Sequence, residues 1–211
     1  MATTTDLEKL TEGYRIYCQA EGKSPRTIRW YLGKLRIFRD YLHEQGLPTD
    51  AAELTTTHLR AFLVHLRENV KADELNPQKP TRDAPLAGGT IQGYARTLKA
   101  FFAWLAREGY LPEDPAKRVK VPKAPKVIIE TFTDAQVAKL LGMVDRRTER
   151  GYCGYCILLR MLDTGIRLSE LVHLGTRDVD LERGMFKVLG KGARERMVPF
   201  GAQVQAPRAA C

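Results

Sequence analysis

The 211-residue sequence has no apolar run of 18 residues and no N-terminal signal peptide, so neither a spanning helix nor export is expected, and the chain reads as cytoplasmic. It is poor in cysteine. The four present, at positions 18, 153, 156 and 211, form no disulfide framework. Cys153 and Cys156 have the spacing of a redox or zinc pair. They lack a second pair of ligands and open an apolar helix, so they are read as packing residues. Histidine is scarce, at positions 43, 58, 65 and 173 only, and no tyrosine follows Tyr155. What the chain has in excess is positive charge. Lys and Arg number 34 against 25 Asp and Glu, a net charge of +9, which points to a polyanionic partner. An apolar content of 44% is ordinary for a folded protein with one or two cores.

The first 110 residues carry four helical patterns. Thr5 and Glu8 form a capping box before a stripe of Leu7, Leu10, Tyr14 and Tyr17 or Cys18, closed by Gly22. Ser24-Pro25 opens a second helix to about Gln45, with Ile28, Tyr31, Leu32, Leu35, Phe38 and Leu42 facing in. Arg26, Arg29 and Arg36 fall on the opposite face around Gly33, whose bare backbone admits a close phosphate; a merely solvated basic face is the competing reading. Thr55 to Thr57 cap a third helix with Leu59, Phe62, Leu63 and Leu66 inside. Residues 69–89 show no periodicity and read as a long surface loop. A fourth helix, from about Thr90 to Glu108, buries Ile91, Tyr94, Leu98, Phe101, Phe102 and Leu105 and turns Arg96 and Lys99 outward. Together these make a small all-α bundle. Residues 111–130 form a basic, proline-punctuated linker. Thr133 then caps a helix with Val137, Leu140 and Leu141 as its stripe.

From residue 157 the pattern is denser. Ile157, Leu158, Met161 and Leu162 read as the buried stripe of a helix that ends at Thr164-Gly165. A helix restarts at Arg167, with Leu171, Val172 and Leu174 inside. Beyond Gly175 the period drops to two, around Val179 and Leu181, then Met185, Phe186, Val188 and Leu189, then Val198. This reads as an antiparallel sheet of two or three strands with Gly190 and Gly192 at a hairpin.

Thr164-Gly165-Ile166-Arg167-Leu168-Ser169-Glu170-Leu171, followed by Gly190-Lys191-Gly192-Ala193-Arg194-Glu195-Arg196-Met197-Val198-Pro199, resembles the start of the catalytic domain of tyrosine recombinases, the phage-integrase family of bacterial type. The 24 residues from Arg167 to Lys191 match the family's spacing to its hairpin lysine. The resemblance covers about residues 5–200 and implies a mainly α fold. In it, an N-terminal four-helix SAM-like core-binding bundle (1–110) and a linker (111–130) precede the first part of a mixed α/β catalytic domain (131–211), comprising helices and a small antiparallel sheet.

Such enzymes cleave DNA with a tyrosine hydroxyl, without metal or cofactor, so side chains must meet the charge of the transition state. The resemblance makes Arg167 the first arginine of the phosphate clamp, since a guanidinium offers two parallel donors to phosphate oxygens. It makes Lys191 the general acid for the leaving 5′-oxygen. Glu170, one turn after Arg167, is positioned to hold that guanidinium. The second and fourth helices of relatives enter the major groove, which nominates Thr27, Arg29, Arg36, Gln92, Arg96 and Lys99 as facing double-stranded DNA.

The family also requires a His-x-x-Arg pair, a further His or Trp, and the nucleophilic Tyr beyond the lysine. Residues 192–211 contain none of these. The expectation is therefore a C-terminally truncated recombinase that binds duplex DNA and is not catalytic alone. Its expected partners on DNA are further copies of itself or a full-length recombinase, while catalysis complemented in trans by another polypeptide and a non-enzymatic helical interaction module are the alternatives. Uncovered apolar surface at Val188, Leu189 and Val198 is expected to weaken the C-terminal part.

Overall fold

A computed structural model of the chain describes residues 5–75, 78–124, 128–190 and 194–201. The fold divides into two compact units, Met1–Val127 and Ile128–Cys211.

The first unit is built on four helices: α1 (Leu7–Ala20), α2 (Pro25–Glu44), α3 (Thr56–Glu68) and α4 (Gly88–Arg107). Each presents apolar residues at a spacing of three and four, which aligns them on one face. Leu10, Tyr14 and Cys18 of α1 are buried, as are Leu35, Phe38 and Leu42 of α2 and Leu59, Phe62 and Leu66 of α3. α4 runs through the centre and buries ten of its residues, Phe101, Phe102 and Leu105 completely. Aromatic edges meet here: Phe38 lies 5.0 Å from Phe62, and Tyr14 lies 5.3 Å from Phe101, both steeply inclined. Each such ring contributes about 1.5–3 kcal/mol through burial.

Local details depart from the sequence reading. The N-cap of α1 is Asp6, whose carboxylate accepts from the amides of Glu8 and Lys9, because the Thr5 hydroxyl donates instead to Asp50 at 2.8 Å. The expected unstructured loop contains two short antiparallel strands, β1 (Lys71–Ala72) and β2 (Arg82–Pro85). Between them Asp73, at positive φ, binds Arg82 at 2.6 Å. The basic segment after α4 begins as part of the bundle: Leu111, Ala116 and Val119 are buried in its core. Pro115 O accepts from the Thr56 hydroxyl, and Arg118 O accepts from Arg60.

The second unit contains α5 (Asp134–Gly142), α6 (Glu149–Thr164), α7 (Leu168–Val172) and a three-stranded antiparallel sheet, β3 (Val179–Asp180), β4 (Met185–Leu189) and β5 (Glu195–Pro199), in the order β3-β4-β5. Phe186 pairs with Val198 and Val188 with Arg196. The buried cluster consists of Leu159, Ile166, Phe186, Val188, Val198 and Phe200. Val188 and Val198 are thus covered, contrary to expectation, and only Leu189 of that trio is exposed. They lie on the sheet face turned to Leu159 and Ile166, whereas Leu189 is one residue out of that alternation.

The helices of this unit are turned differently from the apolar pattern. Cys156 and Leu159 are the buried residues of α6, while Ile157 and Leu162 are more than a third exposed. In α7 the buried side chain is Glu170, and Val172 faces out. A charge network at Glu170 fixes that rotation. Among the described residues no helix is long and apolar enough to span a membrane, and no group of His, Cys, Asp or Glu is arranged to hold a metal.

Candidate active site and nucleic-acid interface

In the second unit the site starts from a helix end. Gly165 closes α6 in the left-handed conformation (φ +61°), and its amide donates to Met161 O at 3.0 Å. Ile166 comes next, buried, its amide held by the Thr164 hydroxyl at 3.2 Å. Arg167 is then the N-cap of α7. One residue, Ile166, separates the C-cap of one helix from the N-cap of the next, and that residue is anchored in the core.

Glu170 organises the charges around Arg167. One carboxylate oxygen accepts from the Arg167 backbone amide at 2.9 Å, and the other accepts from the Arg167 guanidinium, also at 2.9 Å. Arg196, from β5, binds the same carboxylate through both terminal nitrogens, at 2.6 and 2.8 Å. The fork of Arg196 and the Arg167 amide hold the Glu170 carboxyl down at about 2, against its ordinary 4.5. Its side chain is 4% exposed, while that of Arg167 is 69% exposed. Arg167 therefore spends one nitrogen on a fixed anchor and keeps its other donors outward, with no partner among the described residues. Gly190 borders the network: a Cβ there would lie 3.3 Å from Arg196 and 3.7 Å from Glu170. A side chain would crowd the carboxylate, which gives this glycine a packing role beyond its turn.

The expected contact of Glu170 with Arg167 is present. Lys191 lies outside the described residues. Sequence reasoning missed Arg196. The signal was its phase: it shares a strand face with Val198, two residues on, and a charge on an apolar face requires a buried partner. His173, whose ring Nδ1 lies 2.7 Å from Ser169 O, and Lys187, paired with Glu195 at 3.0 Å, line the same surface as Arg167.

In the first unit the six nominated residues separate into two groups. Arg29, Arg36 and Arg96 are exposed and make no ion pair among the described residues. Arg29 and Arg36 border one concavity with Arg26, Gly33, Lys34 and Tyr94, and a Cβ on Gly33 would meet nothing within 4 Å. Thr27, Gln92 and Lys99 are engaged internally. The Thr27 hydroxyl lies 2.9 Å from that of Ser24, and Gln92 donates to Pro122 O at 3.1 Å. Lys99 donates to the carbonyls of Ala116, Lys117 and Val119 at 2.9, 3.2 and 3.1 Å. The tight turn after α4 turns those oxygens towards one point, and one ammonium, with three protons, meets all three.

Two family descriptions match the chain: the phage integrase N-terminal SAM-like domain over residues 11–76 and the phage integrase family over residues 130–209. Tyrosine recombinase XerC of Oceanobacillus iheyensis is 32% identical over 197 residues, covering 93% of this chain and 59% of that protein. The Myxococcus xanthus XerC is 34% identical over 202 residues, covering 94% and 61%. The chain thus spans about three-fifths of the length of these curated relatives.

Among solved structures, a lambda integrase dimer bound to a COC′ core site aligns with a TM-score of 0.68 at 16% identity, over 94% of this chain and 64% of that one. The Tn1549 transposon integrase in complex with circular intermediate DNA aligns with a TM-score of 0.63 at 17% identity, over 95% and 62%. At such identities the likeness is one of fold: a SAM-like helical domain followed by part of an integrase catalytic domain. With both family descriptions matched in order and the XerC relatives aligned across nearly the whole chain, this protein belongs to the phage integrase, or tyrosine recombinase, family.

Proposed function

We propose that this chain is the duplex-binding and phosphate-clamping portion of a site-specific DNA recombinase. The observation that carries the reading is the double anchoring of Glu170, which presents the free donors of Arg167 at the surface. A guanidinium fixed in this way meets two non-bridging phosphate oxygens without reorganising, so its charge is in place before the pentavalent phosphorus forms. Lys191 is assigned as the acid that protonates the leaving 5′-oxygen. Residues 192–211 hold no tyrosine and no His-x-x-Arg, so these 211 residues supply the clamp without the attacking hydroxyl. On paired DNA sites a second copy, or a recombinase carrying those groups, is the natural assembly partner.

In the helical unit, Arg29, Arg36 and Arg96 are assigned to the duplex. The braced Gln92 and Lys99 instead hold the start of the connection to the second unit. The domain assignment (1–110 core-binding, 111–130 linker, 131–211 catalytic) is retained as a functional division. The linker's first half, however, packs with the bundle.

Fluorescence anisotropy of the chain with labelled duplex across a range of salt tests the reading. Affinity is expected to fall linearly in log–log form, with a slope of about 0.9 per phosphate neutralised. Arg167→Ala is expected to weaken binding, and a suicide substrate is expected to yield no covalent adduct with these residues alone. Salt-insensitive binding, or none, would overturn the proposal.

A further inference from the structure

The concavity on α2 contains a cation that the DNA-facing set did not include. Lys34 Nζ lies 4.0 Å from the Tyr94 ring centroid and 4.8 Å from that of Trp30. The two rings confine the ammonium between α2 and α4. Gly93 makes room for this arrangement: a Cβ there would lie 3.1 Å from the Trp30 ring and 3.2 Å from the Lys34 stem. Lys34 makes no ion pair and no hydrogen bond to an oxygen among the described residues, although it is half-buried. Burial alone depresses its pKa. Aromatic faces attract a cation but are weak hydrogen-bond acceptors, so the three N–H donors still lack an oxygen.

We infer that Lys34, clamped between Trp30 and Tyr94, is a built contact for a backbone phosphate of duplex DNA. This rests on the duplex-binding reading above and adds a residue to it. Arg26, Arg29 and Arg36 border the same concavity. At 1.5 Å per residue these four cations extend over roughly 15 Å of helix. That length suits a run of phosphates rather than one small anion, and the open surface at Gly33 lets the strand approach. The rings fix the position of the lysine: a flexible stem that would lose several rotamers on binding is already confined, so less entropy is lost when the phosphate arrives.

The test compares wild-type chain with Lys34→Met, Lys34→Arg and Trp30→Leu, by anisotropy with one labelled duplex over a salt series. Lys34→Met keeps the stem and removes the charge. It is expected to lower the magnitude of the salt slope by about 1 and to weaken binding alike for duplexes of different sequence. Lys34→Arg is expected to retain the wild-type slope. Trp30→Leu is expected to weaken binding while keeping the slope, because the charge remains and only its placement is lost.

A second measurement needs no variant. Acetylation of the wild-type lysines, read by mass spectrometry, is expected to show Lys34 shielded when duplex is present. A Lys34→Met chain with wild-type affinity and slope, or unchanged Lys34 labelling in a saturated complex, would overturn this inference and leave the duplex reading standing. Wild-type chain with no salt-dependent binding would overturn both.

Discussion

The two units put their buried atoms to different uses. In the first, apolar side chains from all four helices meet along α4, and the charged residues are left for the outside. In the second, α5 has no buried residue, the buried apolar cluster numbers six among the described residues, and the best-satisfied buried group is a carboxylate. Large apolar residues such as Leu168, Val172 and Met143 remain exposed there. The helical unit is held by close-packed apolar volume and area. The other is held around one ionic node, which fixes the placement of Arg167 but adds little apolar burial. Stability and positional precision are thus supplied by separate parts of the chain.

The widest separation is expected from Phe101→Ala. Removing that ring from the bundle centre should cost about 3–5 kcal/mol. Both tryptophans, Trp30 and Trp104, lie in the first unit, so their fluorescence should track this loss in a denaturant titration. Circular dichroism should show the second unit's transition unmoved, and a common shift of both would erase the contrast. In the parent chain, amide exchange among the described residues should be slowest in α3 and α4 and fastest in α5, which buries no side chain, and equal protection in both units would have the same effect.

Lys99→Met comes next. Withdrawing a charged donor from three carbonyls should cost about 1–2 kcal/mol and speed exchange at the Lys117 and Val119 amides, leaving the core of α3 protected. Thr133→Ala removes a capping box from a helix with no buried side chain, so the expected cost of about 1 kcal/mol should appear as lost helical signal.

The pH response of the ionic node comes last and is silent at neutral pH, because Glu170 is already ionised there. Glu170 binds its proton more weakly folded, at about 2, than its ordinary 4.5. Its stabilising contribution is therefore complete above about pH 4.5 and is lost as pH falls towards 2. Thermal melts should show this acid limb in the second unit, and Glu170→Gln should abolish it.

The elements with a clear 3.6-residue period were legible in the sequence. Tyr14, Phe62, Phe101 and their neighbours lie where the stripes of α1 to α4 put them, because in a bundle the apolar face and the buried face coincide. That equivalence fails in α6 and α7, where Ile157, Leu162 and Val172 are exposed and Glu170 is inside. In α7 an ion pair chose the rotation, and hydrophobicity carries no information about such a pair. The contact of Glu170 with Arg167 was legible from their i, i+3 spacing. Arg196 and Lys99 were not, since their partners lie 26 and 17 to 20 residues away and depend on how strand and turn pack. The two-residue strand β1 is too short to show any alternation.

Gly165 carries no charge and offers nothing to a phosphate, yet the peptide that bears Arg167 hangs from it. A side chain at its positive φ would strain the turn by about 1–2 kcal/mol, and the chain could relieve that by unwinding the end of α6 and swinging Arg167 away. A screen for weakened duplex binding should therefore recover this glycine alongside the charged residues. Its mutants would be well folded elsewhere and look chemically blameless, and their lesion would be one of aim.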